Sequence, residues 1–262
     1  MASLKLIHLV YAVVAMVVVI VAAFLATAYL FNAPVTSAIG NGWKQVAGVS
    51  AYTVGGRLYV SFIGIEGCQF CAAERYALFA ALSNFGNWTY YGSAVTLSAL
   101  PTGNLTTNPE PYSLFYKASE GDWTLNFLSP HLSYTSNYID FVSTETLDNN
   151  GNPLQNPTAI QNGYLSKYDS GGSVPFTVVG GNFYEIGAGE SLVPNGIPVL
   201  FNPNGVGYMP SYIISNFNTS GSQMNSSITT ESNYISAIIC FDISNAAPAC
   251  STSAIKLISS KL

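Results

Sequence analysis

Two regimes of apolar patterning divide this chain. From Leu6 to Phe31 the residues are almost continuously Val, Ala, Leu, Ile, Phe and Met, a run long enough to cross a hydrocarbon core of roughly 30 Å. Beyond it the apolar runs shorten to strand length. Val46–Val54 and Leu58–Ile65 flank Gly55-Gly56 and predict a hairpin. Arg57–Ile65 is apolar, β-branched and aromatic, the pattern of a buried strand. After Cys71 an Ala/Leu-rich segment continues to Gly86 as a helix, with Glu74 and Arg75 as its only charges before Asn84. A helix apolar almost all round is buried against a sheet. Tyr90–Leu100 reads as a second strand, and strand, helix and strand of these lengths predict a parallel right-handed crossover.

Pro101 to about Pro157 is rich in Asn, Ser, Thr and Tyr and reads as an insertion. It holds short strand candidates at Tyr112–Lys117 and Tyr138–Thr144, which are expected to extend the sheet, and a turn at Asp148–Pro153. Thr158–Tyr168 predicts a short helix. Ser173–Gly187 predicts a hairpin, with Pro175 at its entry, where a missing N–H is tolerated. Pro194–Pro210 reads as loop, Pro210–Phe217 as a helix start, and Glu231–Cys240 as helix or strand. The expected organisation is an anchor over residues 1–31, a linker over 32–42, and one domain over 43–262 with its insertion at about 101–157.

Charge sets the expected orientation. Lys5 and the amino terminus precede the apolar run, and the next basic residue is Lys44. The positive flank then stays in the cytoplasm and places residues beyond about 35 outside. Ala26-Thr27-Ala28 resembles a cleavage site, but a cleavable signal usually has an apolar region of only about 7–15 residues. The expectation is a single-pass cell-membrane protein with its C-terminal domain outside. Charged residues make up 8% of the chain, against about 25% in ordinary soluble domains. Tyr, Asn, Ser, Thr and Gly supply the polarity instead, which suits a medium of extreme pH. The net charge of -5 and the lack of a basic patch disfavour nucleic-acid binding. Sequons begin at Asn87, Asn104, Asn218 and Asn225, candidate glycan sites on an exported protein.

The chemistry converges on Cys68-Gln69-Phe70-Cys71. This C-x-x-C follows the Arg57–Ile65 strand and opens the helix, the order of a redox motif. Unpaired N–H groups and the macrodipole at a helix N-terminus favour a thiolate at Cys68. Cys71, one turn inside, is placed to attack a mixed disulfide on Cys68. An inert disulfide and half of a zinc site carry the same spacing. A four-cysteine zinc site would recruit Cys240 and Cys250, whose wider spacing lacks a second C-x-x-C. In an oxidising compartment Cys240 and Cys250 read instead as a structural disulfide, contributing about 2–3 kcal/mol by chain entropy. His131 lacks ligand-spaced neighbours and reads as a surface or satisfied residue. No metal site and no dissociable cofactor are expected.

Taken together, Gly67–Leu78 (G-C-Q-F-C-A-A-E-R-x-A-L) and Ser173–Gly181 (S-V-P-F-T-V-V-G-G) resemble the thioredoxin-like superfamily, with a Dsb-type likeness. Within it the chain is similar to a membrane-anchored family of thermoacidophilic archaea. The resemblance implies an α/β, thioredoxin-like fold with catalytic Cys68 and Cys71. It also implies a cis-proline turn at Val174-Pro175 whose backbone pairs with substrate. Two positions depart from the pattern. Phe62 stands where many members carry a buried acid, and Gln69-Phe70 is neither of the familiar middle pairs. The implied function is a membrane-anchored extracytoplasmic thiol-disulfide oxidoreductase. Its partners would be exported cysteine-containing proteins or a membrane redox partner. The alternative is a redox-inactive structural or accessory protein of the cell envelope or of a membrane complex.

Overall fold

Strand Arg57–Gly64 is the axis on which the other elements are laid. The computed structural model describes Val14 and residues 17–19, 35–102, 113–119 and 121–262. The chain divides into two units, Met1–Thr36 and Ser37–Leu262. In the first, Val14 and Val17–Val19 are helical.

Four strands come first: β1 (Thr36–Gly40), β2 (Trp43–Val46), β3 (Thr53–Val54) and β4 (Arg57–Gly64). Helix α1 (Gln69–Leu82) follows, then β5 (Gly86–Tyr90), β6 (Ser93–Val95), β7 (Phe115–Lys117), β8 (Trp123–Leu125), β9 (Leu132–Ser136) and β10 (Ile139–Glu145). The chain continues through α2 (Ala159–Tyr168), the hairpin β11 (Phe176–Val179) and β12 (Phe183–Ile186), α3 (Pro210–Phe217), α4 (Gln223–Asp242) and α5 (Ser253–Ser259). The main sheet runs β1-β2-β12-β11-β4-β10, with β3 also paired to β4. β10 lies parallel to β4, Ile139 opposite Leu58 and Glu145 opposite Gly64. β11 lies antiparallel on the other edge, with Phe176 opposite Ile63.

The period of two along β4 sorts its side chains between two layers. Leu58, Val60 and Phe62 join Tyr76 and Phe79 of α1 and Ile228 and Ile235 of α4 in the larger core. Ile63 joins Phe176, Val178 and Tyr184 under Tyr164, Leu165 and Tyr168 of α2. With neighbours on both edges and helices on both faces, β4 is buried from Leu58 to Gly64, which is why it reads as an unbroken apolar run. Local capping completes the helices. Thr158 and Gln161 form a capping box on α2, and the Ser222 side chain accepts the Asn225 N–H at the start of α4.

The expected crossover is not the one observed. Tyr91 (φ 49°) and Gly92 (φ 73°) both adopt left-handed backbone, which folds Gly86–Val95 into a tight hairpin instead of one strand. β5 then pairs with β6 and β9 in a separate three-stranded sheet. Its Trp88 stacks on Phe79 at 4.7 Å and on Phe127 at 5.6 Å. The parallel neighbour of β4 is β10, from the segment that the composition marks as an insertion. Glu231–Cys240 is helical, the second half of α4.

The architecture is a mixed α/β fold with open sheets, which corrects the expected thioredoxin-like fold with an N-terminal transmembrane helix. Among the described residues no helix is long and apolar enough to cross a membrane. The expected anchor, Leu6–Phe31, lies outside the described residues except for Val14 and Val17–Val19. Membrane anchoring, the single-pass location and the membrane partner are therefore unsupported and set aside.

Candidate functional site

The site is built where β4 ends. After Gly64 the chain turns through residues 65–67 and enters α1 with Cys68 as its N-cap, at φ -86° and ψ 119°. Gly67 packs so closely on Ser119 that a Cβ would collide with the serine hydroxyl. The Cys71 backbone N–H donates to Cys68 Sγ at 3.1 Å, so the sulfur does the work of a capping oxygen. The two cysteines approach to 2.8 Å and are free thiols. Cys68 keeps 8% of its surface exposed and Cys71 none, so an incoming molecule reaches Cys68 first.

Electrostatics separate the pair. The Cys68 thiol is held below its ordinary value, chiefly by the hydrogen bond from the Cys71 side chain. The Cys71 and Phe70 backbone N–H groups and the Arg75 charge assist, against the opposing effect of burial. Cys71 is pushed well above the ordinary thiol value, first by burial and then by its hydrogen bond to Cys68.

Arg75 lies one turn beyond Cys71 and is fully buried. Its Nε and Nη2 donate to the two oxygens of Glu145 at 2.9 and 2.6 Å. Nη1 donates to Thr124 Oγ1 at 3.1 Å, and Nη2 also to the Ile65 carbonyl at 3.0 Å. The rings of Phe62 and Tyr116 lie 5.4 and 5.8 Å from the guanidinium carbon. Burial opposes the Arg75 charge, but the Glu145 carboxylate outweighs it and the guanidinium stays protonated. Glu66, in the turn, accepts the Asn149 N–H at 3.1 Å, and burial raises its carboxyl.

The remaining sequence candidates fall in several places. Val174-Pro175 is a cis peptide. The β11 register brings it to the end of the sheet where residues 65–67 turn, and Val174 packs on the core cluster that includes Cys68. Cys240 and Cys250 form a disulfide at the end of α4, so they are not available as ligands beside Cys68 and Cys71. Asn87 is exposed on β5. Asn218 is exposed after α3, and its Nδ2 donates to the Ser98 carbonyl at 2.8 Å. Asn225 is half-buried in the first turn of α4 and donates to the Phe217 carbonyl. Asn104 lies outside the described residues. His131 stacks on Tyr91 with ring centroids 3.8 Å apart.

Sequence reasoning missed two polar groupings. One is the Thr124–Arg75–Glu145 network. The other joins Glu74, Glu185 and Glu231, all fully buried. Burial pushes the Glu74 carboxyl up to about 8. Burial also raises Glu185 and Glu231 well above the carboxylate range, and neighbouring carboxylates raise them further. A signal was present, because a helix apolar all round must bury both of its adjacent charges, Glu74 and Arg75. The carboxylates that meet them lie 70 or more residues away and left no mark near them.

Fold and site define a mixed α/β domain with a closely spaced Cys-x-x-Cys pair at a helix N-terminus. Among known families, the one described as a domain of unknown function (DUF929) matches residues 46–167. That stretch includes β4, the cysteine pair, Arg75 and Glu145, and leaves Val174, Pro175, Cys240 and Cys250 outside. No curated protein and no solved structure matches the chain. The expected kinship with a membrane-anchored thioredoxin-like archaeal family is corrected to this similarity.

Proposed function

We propose that the protein carries out thiol–disulfide exchange through Cys68 and Cys71. The observation that supports it is the asymmetry of the pair: an N-capping, partly reachable Cys68 of lowered pKa beside a fully buried Cys71 of raised pKa. The thiolate is the attacking species in such exchange. Cys68 thiolate attacks one sulfur of a substrate disulfide, forms a mixed disulfide and expels the other sulfur as a thiolate. Cys71 gives up its proton to that departing sulfur and attacks Cys68 Sγ, releasing the second substrate sulfur, which is protonated from solvent. The substrate gains two electrons and the pair is left as a disulfide, to be restored by an external dithiol. The reverse sequence oxidises a substrate dithiol, and relative reduction potentials set the direction. Val174 and Pro175, at the same end of the sheet, are assigned contact with the substrate chain. Cys240–Cys250 is assigned a structural role.

A disulfide-bonded peptide tests the reading. A Cys71→Ser variant accumulates a mixed disulfide detectable by mass spectrometry, and a Cys68→Ser variant does not. The reduction potential of the pair is expected between about −270 and −120 mV, the range of known exchangers. A value below about −300 mV, with no trapped adduct, would mark an inert disulfide and overturn the proposal.

A further inference from the structure

We propose that Glu74, Glu185 and Glu231 form a buried binding site for a hard divalent cation. The three residues come from α1, β12 and α4, and one carboxylate oxygen of each lies within 4.8 Å of the others. All three side chains have no exposed surface. Buried carboxylates are stable only when paired with charge or fully hydrogen-bonded.

The donors around the cluster satisfy only part of it. Glu231 accepts Trp43 Nε1–H at 2.7 Å and a further hydrogen bond from Asn41 Nδ2. Glu74 Oε2 accepts the Gly189 N–H at 3.4 Å. Both oxygens of Glu185 and Oε1 of Glu74 are buried with no hydrogen-bond partner. Glu185 is thus an unpartnered, fully buried side chain whose oxygen faces two other carboxylates. Arg75, adjacent in sequence to Glu74, is committed to Glu145 on another face of α1.

The backbone around the cluster leaves its oxygens room. A Cβ on Gly42, itself at φ +94°, would come 2.5 Å from Glu185 Oε1, and one on Gly189 would collide with Glu231 Oε2. The donor set selects the class of ion. Three carboxylates without sulfur or imidazole suit hard cations, and a donor set of oxygens alone suits Ca²⁺ or Mn²⁺. Mg²⁺ usually keeps several waters, which a dry interior disfavours. A bound ion would tie the helix carrying Cys68 and Cys71 to β12 and α4, so its effect is on stability and is independent of the thiol chemistry.

The test uses the full chain, stripped with chelator and dialysed against Mn²⁺ or Ca²⁺ at about pH 7.5. The expected result is about one ion per chain by elemental analysis. It is accompanied by a rise of about 5–10 °C in melting temperature when the ion exceeds its Kd about 100-fold. Glu185→Gln is expected to weaken ion binding at least about tenfold. The wild-type stoichiometry and melting shift decide the question even where that variant does not fold. No ion uptake and no melting shift at millimolar Mn²⁺ and Ca²⁺ would overturn the proposal, leaving carboxyl groups that share protons. Uptake unchanged by Glu185→Gln in a folded variant would overturn it too, by placing the ion elsewhere.

Discussion

Arg75 and Glu145, 70 residues apart, meet in a doubly hydrogen-bonded ion pair sealed from solvent, 2.6 Å at its shorter contact. The pair fastens α1 to the end of β10, beside the turn that delivers Cys68. The Arg75 charge also helps to hold the Cys68 thiol below its ordinary value.

Cutting that pair on one side leaves a charge buried without compensation. Glu145→Gln or Arg75→Met is expected to destabilise the fold by about 3–5 kcal/mol, read from chemical denaturation. The double variant Arg75→Met with Glu145→Leu removes both charges and is expected to recover much of that loss. A single variant within about 0.5 kcal/mol of the wild type would contradict the role given to the pair.

In the reduced protein, Cys68 is expected to alkylate much faster than Cys71. Its rate profile should inflect below the ordinary thiol value of about 8.5, because hydrogen bonds from Cys71 and the Arg75 charge favour the thiolate. Arg75→Met should move that inflection upward. Equal rates for the two cysteines, or an inflection at or above about 8.5, would contradict the assignment of Cys68 as nucleophile.

Asp242 provides a separate pH test. Burial pushes its carboxyl up to about 7, against one hydrogen bond from Asn182 Nδ2–H at 2.8 Å. Its folded value lies above the unfolded 3.8, so the native state holds the proton more tightly. That contribution is fully present below about pH 3.8 and is lost as pH rises through about 7. Asp242→Asn should match the wild type near pH 4 and exceed it near pH 8, by on the order of 1–3 kcal/mol. A wild type more stable than the variant at pH 8 would reverse the sign and refute the argument.

The Cys240–Cys250 bridge closes a short loop after α4. Replacing both cysteines by serine is expected to cost about 2–3 kcal/mol through the freed unfolded chain. Equal melting of the wild type and the double variant would mean that the loop is held by its packing alone.

Two segments mark the limit of local pattern. Tyr90–Leu100 has strand composition throughout, yet Tyr91 takes positive φ beside Gly92 and the strand breaks there. A non-glycine residue in that conformation gives little local warning. β10 has the opposite character. Asp140, Ser143, Thr144 and Glu145 make it polar, and the sequence offers it as an extension of the sheet but not as the parallel neighbour of β4, the place expected for Tyr90–Leu100. Parallel pairing with β4 is a choice between distant segments, made by the packing of everything that lies between them.

By itself the sequence determined β4, the turn after it, and a helix that begins at Cys68. Each of these depends on neighbours a few residues away: a continuous apolar run, glycines at the turn, and a side chain able to accept from the first free N–H groups. Only the tertiary structure decided that Arg75 finds Glu145, and that Glu74 lies with Glu185 and Glu231 rather than with its neighbour. It also decided that Cys68 keeps a little exposed surface while Cys71 keeps none. The physical reason is that a buried charge is paired through space. The register of β10 against β4 sets its partners, as does the packing of α1 against α4, and no local pattern around residues 74 and 75 encodes either.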